Sequence, residues 1–132
     1  MVPKNKLIRT LVADDSKMAL LSLCRYLEFE GYFEIIATAT DGLQLLHKVA
    51  LCCPDLVLAD LSMPMLSGLE AATELRKAFP KMRIIIFTEL SGLPLRDECL
   101  RSGADSFVEK SQMPEKLMEE VRRLFPSNSR QQ

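Results

Sequence analysis

Residues Leu56–Glu70 read LVLADLSMPMLSGLE. The first four, Leu56 to Ala59, carry no charge and suit a strand buried on both faces, yet the run stops on a carboxylate, Asp60, with Pro64 and Gly68 close behind. Strands apolar on both faces belong to parallel sheets covered by helices, so an acid at the carboxyl end of one points out of the core.

The rest of the chain repeats this grammar. LIRTLVA, FEIIATA, DLVLAD, MRIIIFT and DSFVEK are predicted strands, with four helical segments between them and one after, which makes five βα units. Leu43, Leu46 and Ala50 share one helical face, as do Leu117, Val121 and Leu124 in a segment with Pro114 at a first-turn position. Gly31, Pro80 and Gly103 stand where helices must stop. Residues 89–101, with Gly92 and Pro94 near the start, carry the weakest pattern and predict a short, mobile helix. Alternating βα units joined by right-handed crossovers give an α/β fold, a doubly wound five-stranded parallel sheet, and 2-1-3-4-5 is a common strand order that needs only five strands.

Composition narrows the field. With 132 residues, 48% of them hydrophobic, the chain suits one domain, expected over 1–126, with 127–132 a disordered tail or the start of a linker. A formal net charge of −1 offers no general attraction to nucleic acid or to anionic membrane. The start shows no signal-peptide core, and no apolar run approaches the roughly 20 residues of a membrane span, so the expected location is cytoplasmic. Cys24, Cys52, Cys53 and Cys99 show no CxxC spacing and His47 is the only histidine, which leaves no ligand set for zinc. The thiols are read as reduced, core or near-core residues, and His47 as an exposed helix residue.

In a 2-1-3-4-5 sheet, strands 1 and 3 lie side by side where the order reverses, and the crevice at their carboxyl ends is the place for a site. Strand 1 ends in Asp14 and Asp15, strand 3 in Asp60, strand 4 in Thr88 and strand 5 in Lys110. Three carboxylates in one crevice repel one another until a pKa rises or a cation binds. Mg²⁺ suits this acid count, since it prefers one or two carboxylates plus a phosphate and retained waters. With that charge screened, Asp60 could attack a phosphoryl group, and Lys110 and the Thr88 hydroxyl could hold its oxygens.

VADDS with Asp14 and Asp15, LADLSMP with Gly68, IIIFT with Thr88, SGAD, and SFVEK with Phe107 and Lys110 together resemble the receiver domain of two-component response regulators, over residues 7 to about 125. The resemblance implies a flavodoxin-like (βα)5 fold and a phosphorylation-controlled switch rather than an enzyme. It implies Asp60 as phosphoacceptor, Asp15 and Asp60 as direct Mg²⁺ ligands, Asp14 acting partly through water, and the backbone carbonyl of Ser62 as a further ligand. Thr88 would be the switch hydroxyl, Phe107 the aromatic that changes rotamer with it, and Lys110 the phosphoryl and carboxylate partner. The implied partners are a histidine kinase or phosphotransfer protein as donor, a downstream output protein or domain, and a second copy in a phosphorylation-dependent homodimer. No direct contact of this chain with nucleic acid or membrane is expected.

Two positions depart from the family's pattern. Ser111 follows Lys110 where Pro is common, so the bond there is either trans or a cis form held by the site at a cost of roughly 2.5–4 kcal/mol. Glu89 follows Thr88 where a small residue is usual, and its charge and bulk are expected to modulate access. Three other readings stay open: a pseudo-receiver that binds without being phosphorylated, the receiver portion of a longer DNA-binding regulator, and a phosphatase of the haloacid dehalogenase type. The last wants a second acid two residues after Asp60, where Ser62 stands.

Overall fold

Backbone pairing bears out the alternating pattern. The structure, a computed structural model, describes residues 7–90 and 92–126. In chain order the elements are β1 (Ile8–Ala13), α1 (Lys17–Glu30), β2 (Phe33–Ala39), α2 (Gly42–Cys52), β3 (Leu56–Asp60), α3 (Gly68–Ala78), β4 (Arg83–Thr88), α4 (Leu93–Ser102), β5 (Ser106–Glu109) and α5 (Glu115–Leu124). All four pairings are parallel and the order is β2-β1-β3-β4-β5. The register aligns Ala13 with Ala59 and Asp60 with Phe87, so the acids after β1 and at the end of β3 leave the sheet at one rim.

The central strands are buried on both faces, and alternate residues feed two apolar layers. Leu11, Val57, Ile84 and Ile86 pack with Leu45, Val49, Ala72, Leu75 and Cys99 from α2, α3 and α4. Val12, Leu58, Ile85 and Phe87 pack with Leu23, Leu27, Leu117 and Val121 from α1 and α5. Each fully buried aliphatic side chain contributes about 1.5–3 kcal/mol, which offsets part of the cost of ordering the central strands.

Local chemistry sets the helix ends. The Ser16 hydroxyl caps α1 by accepting from Ala19 N, which leaves Asp14 and Asp15 free of that structural duty. Ser67 and Glu70 form a reciprocal capping box on α3. Gly31 ends α1 at φ 83°, a left-handed conformation that suits glycine. The helix expected in 89–101 is α4, ten residues whose N-cap, Gly92, makes no side-chain bond.

Several expectations need correction. The buried face of α2 is Gly42, Leu45 and Val49, while Leu43 and Ala50 are exposed and Leu46 is partly covered. The reason is steric: a Cβ on Gly42 would lie 2.1 Å from Leu66 O, so the helix turns its glycine toward the β3–α3 loop and rotates the stripe. Strand 5 stops at Glu109, and Lys110 opens a short 3-10 turn, Lys110–Gln112. Cys53 is exposed at the left-handed C-cap of α2 rather than in the core. The only cis peptide bond among the described residues is Met113–Pro114, so Lys110–Ser111 is trans. The expected tail, 127–132, lies outside the described residues, and no described helix is long and apolar enough to cross a membrane.

At the far end of the sheet, Arg76 ties α3 to β4 and β5. Its guanidinium donates to Gly103 O, Pro80 O and Met82 O and bridges Asp105 at 2.6 Å, while Asp105 also accepts from Ile84 N. Removing one partner leaves part-buried acceptors unpaired. Arg76→Ala is therefore expected to cost about 2–3 kcal/mol in urea unfolding. A loss under about 0.5 kcal/mol would show that solvent replaces the network.

Candidate functional site

Asp14 leaves β1 with its N–H donated to Ala39 O, is 2% exposed, and accepts from Ser16 N at Oδ1. Its other oxygen takes the Lys110 ammonium at 3.0 Å. Asp60 closes β3 at 7% exposure, with Lys110 Nζ 3.8 Å from its Oδ2. Asp15 is exposed beside them, and carboxylate oxygens of Asp14, Asp15 and Asp60 lie within 4.8 Å of one another. The three acids and Lys110 thus meet in one open crevice of about 310 Å³, with Ser62, Thr88 and Glu89 in its walls.

Pro64 and Gly68 belong to the same geometry. Leu61 N donates to Phe87 O and Gly68 N donates to Leu61 O, which folds the loop back over the strand end. A Cβ on Gly68 would sit 2.5 Å from Asp60 O, so only glycine allows α3 to start this close to the acid. Pro64 O accepts from both Gly42 N and Leu66 N and joins the loop to α2.

The electrostatics follow from burial and crowding. Burial pushes the Asp60 carboxyl up to about 6, the nearby Asp14 charge adds to this and Asp15 adds less, while Lys110 and the Ser62 N–H pull the other way. Burial pulls the Lys110 pKa down, but its bond to Asp14 and the charges of Asp60, Asp14 and Glu89 outweigh that, so it rises and the side chain stays an ammonium. The donor set is hard oxygen, and its repulsion is only partly relieved by one lysine, which fits a hard divalent cation such as Mg²⁺.

Thr88 is 1% exposed, and its Oγ1 accepts from Leu90 N at 3.1 Å, which leaves its own proton to donate. Glu89 is exposed at the mouth. Phe107 does not line the crevice: it is 7% exposed and packs in the layer shared with α3 and α4. Ser62 is exposed in the wall. Phe87 is the residue the sequence reading missed: its ring lies 5.2 Å from Lys110 Nζ. The signal was its place before Thr88, since alternation turns its side chain to the opposite face, beneath the turn that carries Lys110.

Comparison with known proteins agrees with this geometry. The family model described as the response regulator receiver domain matches residues 10–122. A protein-glutamate methylesterase/protein-glutamine glutaminase of Clostridium acetobutylicum is 33% identical over 112 residues, 83% of this chain and 32% of that protein. The oxygen regulatory protein NreC of Staphylococcus aureus is 31% identical over 119 residues, 89% of this chain and 55% of its own length. The chain therefore spans about a third to about half the length of these curated relatives. Among solved structures, the CheX–CheY–BeF3–Mg²⁺ complex of Borrelia burgdorferi aligns with a TM-score of 0.84 at 28% identity, covering 89% of each chain.

A raised carboxyl pKa makes metal-free stability depend on pH. The folded protein keeps a proton on Asp60 that the unfolded chain releases between 3.8 and about 6, so this group lowers stability as pH rises through that window, with no further change above it. Asp60→Asn is expected to be more stable than the parent by about 1–3 kcal/mol at pH 7–8 with chelator present, with the gap closing toward pH 4. Urea unfolding across pH checks this, and an equal or less stable variant at pH 8 would contradict the repulsion described for the crevice.

Proposed function

The chain belongs to the response regulator receiver domain family, and from that premise we propose that Asp60 is its phosphoacceptor and that this domain works as a phosphorylation-controlled switch. The observation that carries the assignment is the meeting of Asp60 with two further carboxylates and one ammonium at the switch point of the sheet.

In this reading an Asp60 carboxylate oxygen forms a bond to phosphorus as the bond from phosphorus to the donor's leaving atom breaks, giving an aspartyl phosphate. Asp15 and Asp60, with Asp14 and the Ser62 carbonyl, would hold Mg²⁺, which supplies screening of the phosphoryl oxygens when bound. Lys110, held over Phe87 between Asp14 and Asp60, shifts onto a phosphoryl oxygen once the Asp60 charge is consumed. Thr88 donates its free proton to another, and Phe107 follows the movement of Thr88 as the second switch residue. The donor is a histidine kinase or phosphotransfer protein, and the output is a separate protein or a domain of a longer regulator, in keeping with the fraction of its relatives that the chain spans. The unit 1–126 acts as an acceptor and not as an enzyme with turnover, in a cytoplasmic setting.

Labelling tests the acceptor. With acetyl phosphate and Mg²⁺, wild type is expected to incorporate phosphate and Asp60→Asn to incorporate none, because the change removes only the nucleophile. Asp15→Ala should lose most of the Mg²⁺ affinity seen by titration. Labelling of Asp60→Asn at the parental rate would refute the acceptor, and absence of labelling in wild type would favour the pseudo-receiver reading, for which Glu89 in the crevice wall is the specific support.

Glu89 is placed to set the rates. Its charge opposes a dianionic donor and its bulk impedes attacking water, so Glu89→Ala is expected to speed both labelling and phosphate loss by roughly threefold to thirtyfold, about 0.6–2 kcal/mol of barrier. The effect on labelling should shrink in high salt, since an exposed charge is screened, and that on hydrolysis should not. Unchanged rates would remove Glu89 from the mechanism.

A further inference from the structure

A surface cavity lies away from the acid crevice. It is a groove of about 540 Å³ at the opposite end of the sheet, formed where the chain enters β3 and β4 and leaves α5. Phe79, Met82 and Phe125 give it an apolar floor, and Asp55, Lys81 and Arg83 stand at its edge. Two of the charges are engaged: Asp55 accepts from Arg9 N, and Arg83 reaches Asp105 at 3.3 Å. Lys81 forms no ion pair among the described residues. The groove therefore asks for an apolar group accompanied by a carboxylate.

The chain itself carries such a group at the same end. α1 starts at the crevice rim and runs to the base, where Phe29 is 86% exposed, the highest value among the exposed large hydrophobic side chains. It lies off the buried face made by Leu20, Leu23 and Leu27 and between Glu28 and Glu30. Glu30 stands close enough to Tyr26 to help raise its pKa, whereas Glu28 is exposed and makes no ion pair among the described residues. An aromatic with a free acid beside it matches an apolar floor with a free ammonium beside it.

We propose that this base groove is a self-association surface, in which Phe29 and Glu28 of one copy occupy the groove and meet Lys81 of a second copy. A two-fold arrangement makes the contact twice, base to base, and satisfies both copies, which avoids the open chain that a one-way contact would build. The acid crevices then face outward at the two ends and stay open to a donor, so the association does not depend on phosphorylation. Two small contacts place it among weak interfaces, with a dissociation constant on the order of 10–100 µM.

Sedimentation of the unphosphorylated full chain, with chelator present, tests this without reference to whether Asp60 accepts phosphate. Wild type is expected to pass from monomer to dimer over roughly 5–500 µM, with weaker association in 0.5 M salt. Phe29→Ser and Lys81→Glu, both at exposed positions and so compatible with a folded chain, should each raise the dissociation constant by about tenfold or more. The exchanged pair Glu28→Lys with Lys81→Glu should recover most of the loss, a result that general surface charge would not produce. Wild type that stays monomeric at about 1 mM, a dimer indifferent to Phe29→Ser, or an exchanged pair no better than Lys81→Glu alone would each overturn the proposal. So would a wild-type groove that binds a Glu-Phe-Glu peptide from a different protein while the chain remains monomeric, since the occupant would then be a separate partner.

Discussion

The arrangement turns on a repulsion that the fold relieves only in part. Asp14, Asp15 and Asp60 are brought within 4.8 Å of one another around a single ammonium. At an effective dielectric near 20, each such pair repels by about 3–4 kcal/mol, comparable with the net contribution of a core side chain. Backbone economy causes the crowding: parallel strands bury both faces, and the reversal of strand order sets β1 beside β3, so their polar ends meet at one rim.

The surroundings are built to hold this unfavourable cluster in shape. Gly68 lets α3 close over Asp60, the capping box on Ser67 and Glu70 fixes the start of that helix, and Phe87 supports Lys110 from below. At the other end of the sheet, Arg76 and Asp105 bind α3, β4 and β5 into a rigid base. Between these anchored ends, α4 starts at Gly92 with no side-chain cap, a few residues after Thr88.

Charge is distributed along the long axis in the same sense. The overall balance of −1 conceals an acidic rim, with Asp14, Asp15, Asp60 and Glu89 facing Lys110, and a base where Arg9, Arg76, Lys81 and Arg83 gather around Asp55 and Asp105. Composition alone averages this away, because net charge carries no positional information. The proposed Mg²⁺ and phosphoryl chemistry falls at the rim, and the proposed self-association at the base.

Strand positions, strand order and the meeting of Asp14, Asp15, Asp60, Thr88 and Lys110 were legible in the sequence, because apolar periodicity is a local property and the crossover rule leaves few ways to join five βα units. The sequence also placed Gly31 and Gly103 correctly at helix ends, since a left-handed residue is a local demand. Only the tertiary structure decided which face of α2 is buried, because the close approach of Gly42 to Leu66, far apart in the pattern, leaves room for no side chain on that side. It also decided that Lys110 lies in a 3-10 turn over Phe87 and that Arg76 finds Asp105. The contacts of Gly42 with Leu66, Lys110 with Phe87 and Arg76 with Asp105 join residues 23 to 29 positions apart, which no local pattern contains.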